Sequence, residues 1–236
     1  MTTKVTSFPK SDYKEYPKTL PPNDFWGQVR RTVYGKPISE DQVQLIVQAI
    51  KDGLDFCEDD CVLDLACGNG ALSRLLFDSF SQFLGVDNSE YLISVALANF
   101  AKPPNFDFLV SGAAEYVREE QDPKRFTKAL CYGSFSFFTA SDAHTVLREL
   151  SGRFTKVKKL YIGNLPDKDR AHLFYPAGKT FLGELSDHAS QIGIWRNRQE
   201  LEQLAAKTGW RIRFHLMPNE FFAARYRFDA ILEPLE

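Results

Sequence analysis

No apolar run in this sequence reaches the about 18 residues that a bilayer-spanning helix needs, so no membrane span is expected. The first residues, Met1-Thr2-Thr3-Lys4, lead into polar sequence rather than a hydrophobic segment. A chain without a secretory signal, in the cytoplasm, is the expectation. Cysteine is scarce: Cys57, Cys61, Cys67 and Cys131 fit no zinc-ligand spacing. Cys61 and Cys131 fall inside apolar runs, which predicts reduced structural thiols. Charge of one sign is also lacking. The formal net charge is −2, which gives no electrostatic footprint for nucleic acid. The local basic runs Lys156-Val157-Lys158-Lys159 and Arg211-Ile212-Arg213 read as solvated ends of elements. Only four histidines are present, which shortens the search for a proton acceptor. No internal repeat or low-complexity tract interrupts the chain. An apolar content of 44% and a charged content of 25% are ordinary for a soluble globular protein. The length suits one α/β domain, with or without a small appendage.

What is present is a strand-loop-helix signal. Val62-Leu63-Asp64-Leu65 is an apolar run holding an acid, and Ala66-Cys67-Gly68-Asn69-Gly70 is a loop of small residues. Ala71-Leu72-Ser73-Arg74-Leu75-Leu76 then reads as a helix start. Glycines there let a ligand approach the backbone, and the first N–H groups of a helix favour polar or anionic ligand atoms. A second apolar run, Phe83-Leu84-Gly85-Val86, ends in Asp87. An acid at the end of the second strand commonly binds ribose hydroxyls in nucleotide-binding sheets.

The flanking sequence completes an alternating pattern. Residues 1–24 are rich in Pro, Lys, Tyr and Asp and read as an extended arm. Ser39 is placed as a helix N-cap with Gln42 at the capping-box position. Val43, Ile46, Val47, Ile50 and Leu54 follow at helical spacing. Strands are expected at Cys61–Leu65, Phe83–Val86, Phe106–Val110, Lys128–Tyr132 and Lys159–Gly163. Helices are expected at Ala71–Phe80, Ser89–Phe100, Ser141–Phe154 and Arg198–Thr208. Strands alternating with helices imply parallel βαβ units. Trp210–Met217 and Ala224–Leu232, joined by a turn at Pro218-Asn219-Glu220, permit only an antiparallel pair. The long stretch at about 165–197 reads as an insertion that forms a lid or binding loop.

These pieces, in this order, resemble the class I S-adenosylmethionine-dependent methyltransferases over roughly residues 39 to 232. Asp64 through Gly70 is similar to that family's first motif, and Gly85-Val86-Asp87-Asn88-Ser89 to its second. Val110-Ser111-Gly112-Ala113-Ala114-Glu115 is similar to the third, and Leu130-Cys131-Tyr132-Gly133-Ser134-Phe135 to the fourth. The resemblance implies an α/β, Rossmann-like, seven-stranded, mostly parallel sheet with a C-terminal antiparallel hairpin and helices on both faces. It implies S-adenosyl-L-methionine as cofactor and S-adenosyl-L-homocysteine as product. Asp64 would attract the methionine ammonium group, with Ala66, Gly68, Asn69 and Gly70 passing the methionine and ribose. Asp87 would accept from the ribose hydroxyls, with Asn88, Leu92, Ala113, Ala114 and Tyr132 beside the cofactor. Two departures stand out. Ala66 replaces the first glycine of the loop, which is harmless if its φ is negative. Ala113 stands where the family carries an acid for the adenine amino group.

Three further expectations follow. The dense run Phe25-Trp26-Gly27-Gln28-Val29-Arg30-Arg31 suggests that Trp26 and Arg31 close over the cofactor, Arg31 pairing the methionine carboxylate. His172 and His188, in the insertion, are the candidate bases if the acceptor is a hydroxyl. Phe135, Phe137 and Phe138 are either core or the apolar wall of an acceptor pocket. The domain reading is an arm or cap over residues 1–38 and one methyltransferase domain over residues 39–236. The expected activity is O-methylation of a small molecule, a sugar or secondary metabolite, by a monomer or homodimer. No metal is expected, because no carboxylate cluster of ligand spacing lies by the fourth strand. The rivals are an NAD-dependent oxidoreductase and a non-catalytic S-adenosylmethionine-binding scaffold. Ser73 stands where the dinucleotide fingerprint requires its third glycine, which disfavours the first.

Overall fold

The computed structural model describes residues 10–175 and 181–235. The first nine residues of the expected arm and residues 176–180 of the expected insertion lie outside that range. Elements run in the order α1 (Phe25–Gln28), β1 (Thr32–Val33), β2 (Lys36–Pro37), α2 (Glu40–Leu54), β3 (Cys61–Leu65), β4 (Gln82–Asp87), α3 (Glu90–Asn99) and β5 (Phe106–Val110). They continue through α4 (Ala113–Glu119), β6 (Lys128–Tyr132), α5 (Ala140–Arg153), β7 (Lys159–Pro166), α6 (Arg198–Lys207), β8 (Trp210–His215) and β9 (Arg227–Pro234). Seven strands form one sheet in the order β5-β4-β3-β6-β7-β9-β8. The pairs from β5 to β7 are parallel, and β9 pairs antiparallel with both β7 and β8. This is the Rossmann-like sheet with a terminal hairpin that the sequence predicts.

Two apolar layers cover the sheet. Val43, Ile46 and Ile50 of α2, with Ile93 and Ala96 of α3, pack on one face. Val117 of α4, Val146, Leu147 and Leu150 of α5, and Leu201 of α6 pack on the other. Every residue of β3 and β6 is buried, which is why both read as continuous apolar runs. Each buried Val, Leu or Ile side chain contributes about 1.5–3 kcal/mol. At one edge, β8 exposes Arg211, which pairs with Glu233 at 2.8 Å. Charge on an edge strand opposes pairing with another chain.

Four local expectations differ from the structure. Ala71–Phe80 is not an α-helix but a 3-10 helix over Ser73–Ser79. Ser73 with Leu76, and Phe77 with Phe80, stand three apart, and three residues per turn keeps each pair on one side. Phe77 and Phe80 thereby join Phe83 and Phe106 in one aromatic cluster. The stretch after β5 carries a helix, α4, which is not among the helices expected from the sequence. The Ser39 side chain makes no cap bond. Gln42 instead donates to the Glu220 carbonyl at 3.0 Å and accepts from the Phe222 amide at 2.7 Å. It pins the connection between β8 and β9, which is a packed segment with Met217, Phe221 and Ala223 buried rather than a tight turn.

The fourth difference is the N-terminal segment, which is folded where described. Tyr16–Thr19 is a 3-10 helix, and α1 is capped by Asp24, whose Oδ1 accepts from the Gly27 amide at 2.9 Å. The insertion also packs. Ala171, Tyr175, Ile192 and Trp195 form a small core of their own. The Ile194 amide donates to the Ser136 carbonyl at 2.6 Å, and the Ser136 hydroxyl to the Ile192 carbonyl at 2.8 Å. Gly193 makes this closeness possible. Its φ is 79°, and a Cβ there would stand 2.4 Å from the Ser136 carbonyl oxygen. Gly193→Ala is therefore expected to destabilise the protein by about 2 kcal/mol or more, read from the denaturation midpoint.

Candidate active site

The strand order reverses between β3 and β6: from β3 the chain adds β4 and β5 outward on one side, then crosses to β6. In open α/β sheets the crevice beyond the carboxyl ends of strands at such a point is where ligands bind. Here it is a cavity. Asp64 ends in it from β3, Asp87 and Asn88 from β4, and Tyr132, Gly133 and Ser134 from β6. Ala66, Cys67, Gly68, Asn69 and Leu72 line it from the loop after β3, with Leu92 from α3 and Ala113 from α4. Tyr13, Lys14, Val29 and Arg31 close it from the N-terminal segment, and Phe137 and Phe138 from the segment after β6.

Both acids are buried, Asp64 at 3% and Asp87 at 8% exposure. Asp64 Oδ2 accepts from the Ser73 hydroxyl at 2.6 Å. Burial pushes the Asp64 carboxyl up to about 7, against the Ser73 hydrogen bond and the Arg31 charge, which both favour the carboxylate. Asp87 accepts from two backbone amides: Gly68 on Oδ2 and Ser89 on Oδ1, each at 2.9 Å. Burial raises its carboxyl too, while those amides hold it down. One amide on each oxygen leaves lone pairs on both for a ligand. Ser89 also caps α3, its hydroxyl accepting from the Leu92 amide at 3.4 Å.

The loop itself is shaped by its backbone. Gly68 has φ 61°, and a Cβ on it would stand 2.9 Å from Val29. Gly70 serves packing instead of the ligand. A Cβ there would stand 2.7 Å from the Phe108 ring, and the residue lines no part of the cavity. Ala66 has φ 58°, contrary to the condition set for it by the sequence reading. The Ala66 carbonyl accepts from the Ser134 hydroxyl at 3.1 Å, which ties the loop to the end of β6. Asn69 reaches the opposite way. Its Nδ2 donates to the Phe25 carbonyl at 2.8 Å and to Gln28 Oε1 at 2.9 Å. Gln28 is fully buried and donates back to the carbonyls of Pro21 and Pro22. The N-terminal segment is thus sewn to the glycine loop.

Arg31 is delivered by that stitching. Its guanidinium lies 5.0 Å from the Tyr132 ring centre and 5.5 Å from that of Trp26. Trp26 lines no part of the cavity; it braces Arg31 and packs against the core. Desolvation lowers the Arg31 pKa, as expected for a cation taken from water without a carboxylate beside it. Tyr132 lies over Gly163, where a Cβ would stand 2.2 Å from the ring. Its buried hydroxyl has no hydrogen-bond partner among the described residues, and burial raises its pKa.

Other sequence-predicted residues fall elsewhere. Ala114 faces the core beneath α4 and does not line the cavity. His172 and His188 are both exposed and neither is a wall of it. An insertion rich in His need not aim them inward, and here Ala171, Ile192 and Trp195 turn inward while the imidazoles are left in water. His215, on β8, sits 3.5 Å from Asp229, which raises its pKa. Phe135 is core, whereas Phe137 and Phe138 are cavity walls. The sequence reading missed Tyr13, Lys14 and Val29, and only Val29 carried a signal, as part of the Trp26–Arg31 run. Among the described residues no three His, Cys, Asp or Glu side chains gather as a metal site. No helix among them is long and apolar enough to cross a membrane.

The left-handed alanine is testable. Ala66→Gly is expected to raise stability by up to about 1 kcal/mol, the steric cost of a Cβ in that region less the extra chain entropy of glycine. Chemical denaturation reads the change.

The family described as a methyltransferase domain matches residues 62–155. A search of curated proteins found no match. Solved structures share the fold at low identity. A structure of the complex between the Haloferax volcanii Trm112 methyltransferase activator and a methyltransferase matches at 17% identity with a TM-score of 0.62, covering 84% of this chain and 91% of that one. Geranyl diphosphate C-methyltransferase from Streptomyces coelicolor A3(2) matches at 14% identity with a TM-score of 0.60, over 84% and 83%. Magnesium protoporphyrin IX methyltransferase from Synechocystis PCC 6803, with S-adenosylmethionine bound, matches at 14% identity with a TM-score of 0.58, over 87% and 89%. The matched domain and the shared strand order agree: residues 62–155 are similar to a methyltransferase domain, and the fold is that of class I S-adenosylmethionine-dependent methyltransferases.

Proposed function

We propose that this enzyme methylates a small-molecule acceptor, on oxygen, in the cavity at the ends of β3, β4 and β6. The observation that carries the reading is the pair of opposite charges there. Asp64 and Arg31 act on each other within one cavity, neither in a salt bridge. A zwitterionic amino-acid group placed between them would meet a carboxylate at its ammonium end and a guanidinium at its carboxylate end. Asp87, with lone pairs to spare on both oxygens, suits a ribose diol. Leu92, Ala113 and Leu72 supply apolar surface for a base. These donors and walls fit S-adenosylmethionine better than a dinucleotide, whose pyrophosphate the two acids would repel.

When bound, S-adenosylmethionine supplies an electrophilic methyl group on sulfur. The chain's own part is to bind, orient and exclude water. Phe137, Phe138 and Tyr13 form its aromatic side and would be the acceptor's surroundings. No imidazole lines that side, so the proton of an oxygen acceptor is read as leaving to water. The enzyme is read as a monomer or a homodimer. All four cysteines are free, as in a cytoplasmic protein. Two of the similar structures are enzymes named for small acceptors, magnesium protoporphyrin IX and geranyl diphosphate. A sugar or secondary metabolite is the acceptor class that the insertion and the closed walls support.

Calorimetry is the test. S-adenosylmethionine is expected to bind and NAD not to; the reverse result overturns the reading. Arg31→Ala should weaken cofactor binding roughly tenfold or more, equivalent to about 1.4 kcal/mol. The Asp64 carboxyl must be ionised to pair an ammonium, and in the free protein it titrates at about 7. Binding therefore displaces a proton, and affinity should rise about eightfold from roughly pH 6 to roughly pH 7.5. Asp64→Asn should abolish that dependence. His172→Ala and His188→Ala should each keep turnover within about twofold, since surface substitutions away from a site act weakly.

A further inference from the structure

The ladder between β6 and β7 stops one rung short of the cavity. These strands are parallel, with Cys131 beside Ile162 and Tyr132 beside Gly163, and the rungs of such a pair are evenly spaced. The Lys158 amide donates to the Thr127 carbonyl at 2.9 Å where the pair begins. Repeating that rung at every second residue of both strands leads to the Asn164 amide and the Gly133 carbonyl. That bond is not made. The Gly133 amide still donates to the Gly163 carbonyl at 3.0 Å, but the Asn164 amide donates to Asp229 Oδ1 at 2.6 Å. No backbone amide among the described residues takes its place at the Gly133 carbonyl. Asn164 turns to reach Asp229: its φ is 61°, and the register of β7 against β9 shifts between Ile162 and Leu165.

Asp229 is a costly residue to keep where it stands. It is 1% exposed, in a run of β9, Phe228–Leu232, that is otherwise apolar and wholly buried. A carboxylate taken from water needs hydrogen bonds. Besides the Asn164 amide it has the Tyr161 hydroxyl, which donates to Oδ2 at 2.6 Å, and His215 Nδ1 at 3.5 Å. The Gly133 carbonyl stands at the other end of the exchange. Gly133 lines the cavity between Tyr132 and Ser134. Asn164 Nδ2 and Arg31 Nη2 stand 3.6 and 3.7 Å from where its Cβ would be. A main-chain acceptor that secondary structure leaves unpaired takes its partner from water or a ligand.

We propose that Asp229 is a positioning residue of the cavity: by drawing the Asn164 amide out of the ladder, it keeps the Gly133 carbonyl open as an acceptor for bound S-adenosylmethionine. Asp229 itself lines no part of the cavity and acts through Asn164. With the Asp229 carboxylate gone, the Asn164 amide falls back to the next rung and closes the carbonyl. This inference rests on the cavity being the cofactor site.

Gly133-Ser134 is the one Gly-Ser step in the sequence, so isotope-labelling glycine at the carbonyl carbon and serine at nitrogen gives that peptide a single NMR signal. In the full chain the Gly133 carbonyl resonance should move downfield when S-adenosylhomocysteine is added. Titration calorimetry should show Asp229→Ala binding S-adenosylhomocysteine about tenfold more weakly, equal to about 1.4 kcal/mol. Asp229→Asn keeps an acceptor oxygen for the Asn164 amide and should recover most of that affinity. Tyr161→Phe removes the other hydrogen bond of the same carboxylate. It should lower the denaturation midpoint and leave the affinity within about twofold. An unmoved Gly133 resonance, full affinity in Asp229→Ala, or affinities that follow the denaturation midpoints across the three variants overturns the proposal. The resonance decides the matter if Asp229→Ala does not fold. A wild-type chain that takes no S-adenosylhomocysteine overturns the cofactor reading and this one with it.

Discussion

Two carboxylates buried at the ends of neighbouring parallel strands are the constraint on which the rest of the site depends. β3 and β4 lie in register, so Asp64 and Asp87 end on the same side of the sheet. Taking two like charges out of water is costly unless each is paired or hydrogen-bonded. The chain answers with what is nearest. Ser73 serves Asp64, and the amides of Gly68 and Ser89 serve Asp87. Each of these contacts also fixes an element: the start of the 3-10 helix, the glycine loop and the N-terminus of α3. The requirement of the acids and the shape of the loop are thus one problem with one solution.

The compensation is incomplete, and function lives in the remainder. Burial still pushes the Asp64 carboxyl up to about 7, with one hydrogen bond and a distant guanidinium to oppose it. Arg31 faces it from a segment remote in sequence, brought there because Asn69 bonds to Phe25 and Gln28. A small polar side chain in the loop thereby brings a cation to the cavity that holds both acids. The same stitching carries Tyr13 and Lys14 to the cavity. The N-terminal segment completes the cavity, and its aromatic rings stand in for the anions that its arginines lack.

Legibility varied with the kind of force involved. β3, β5 and β6 are readable to the residue: β3 and β6 because a strand buried on both faces must be a short, largely apolar run bounded by polar turns, and β5, a half-exposed edge strand, because its strand-forming residues stand between turns. The terminal hairpin was readable in kind, but its connection was not. Pro218-Asn219-Glu220 reads as a short turn, whereas the connection is a packed corner with Phe221 buried, held by Gln42. The same glutamine looked like a helix cap. Its local and tertiary partners are chemically alike, and only packing chooses between them. The 3-10 helix after the loop was missed for a similar reason, since its three-residue spacing answers to an aromatic cluster assembled from β4 and β5.

The candidate site divides along the same line. Asp64, Gly68, Asp87, Asn88, Leu92, Ala113, Tyr132 and Arg31 come together in the cavity, whereas Gly70, Ala114, Trp26 and both insertion histidines do not line it. Sequence alone determined the sheet, the glycine loop, the two strand-end acids and with them the methyl donor. These depend on neighbours a few residues apart and on the period of burial. Tertiary structure decided that Ala66 takes a left-handed conformation, that Gly70 yields to Phe108, that His172 and His188 stay in water, and that Arg31 reaches the cavity from the N-terminal segment. Those outcomes depend on which distant segment fills the space beside a backbone, and no local pattern carries that information.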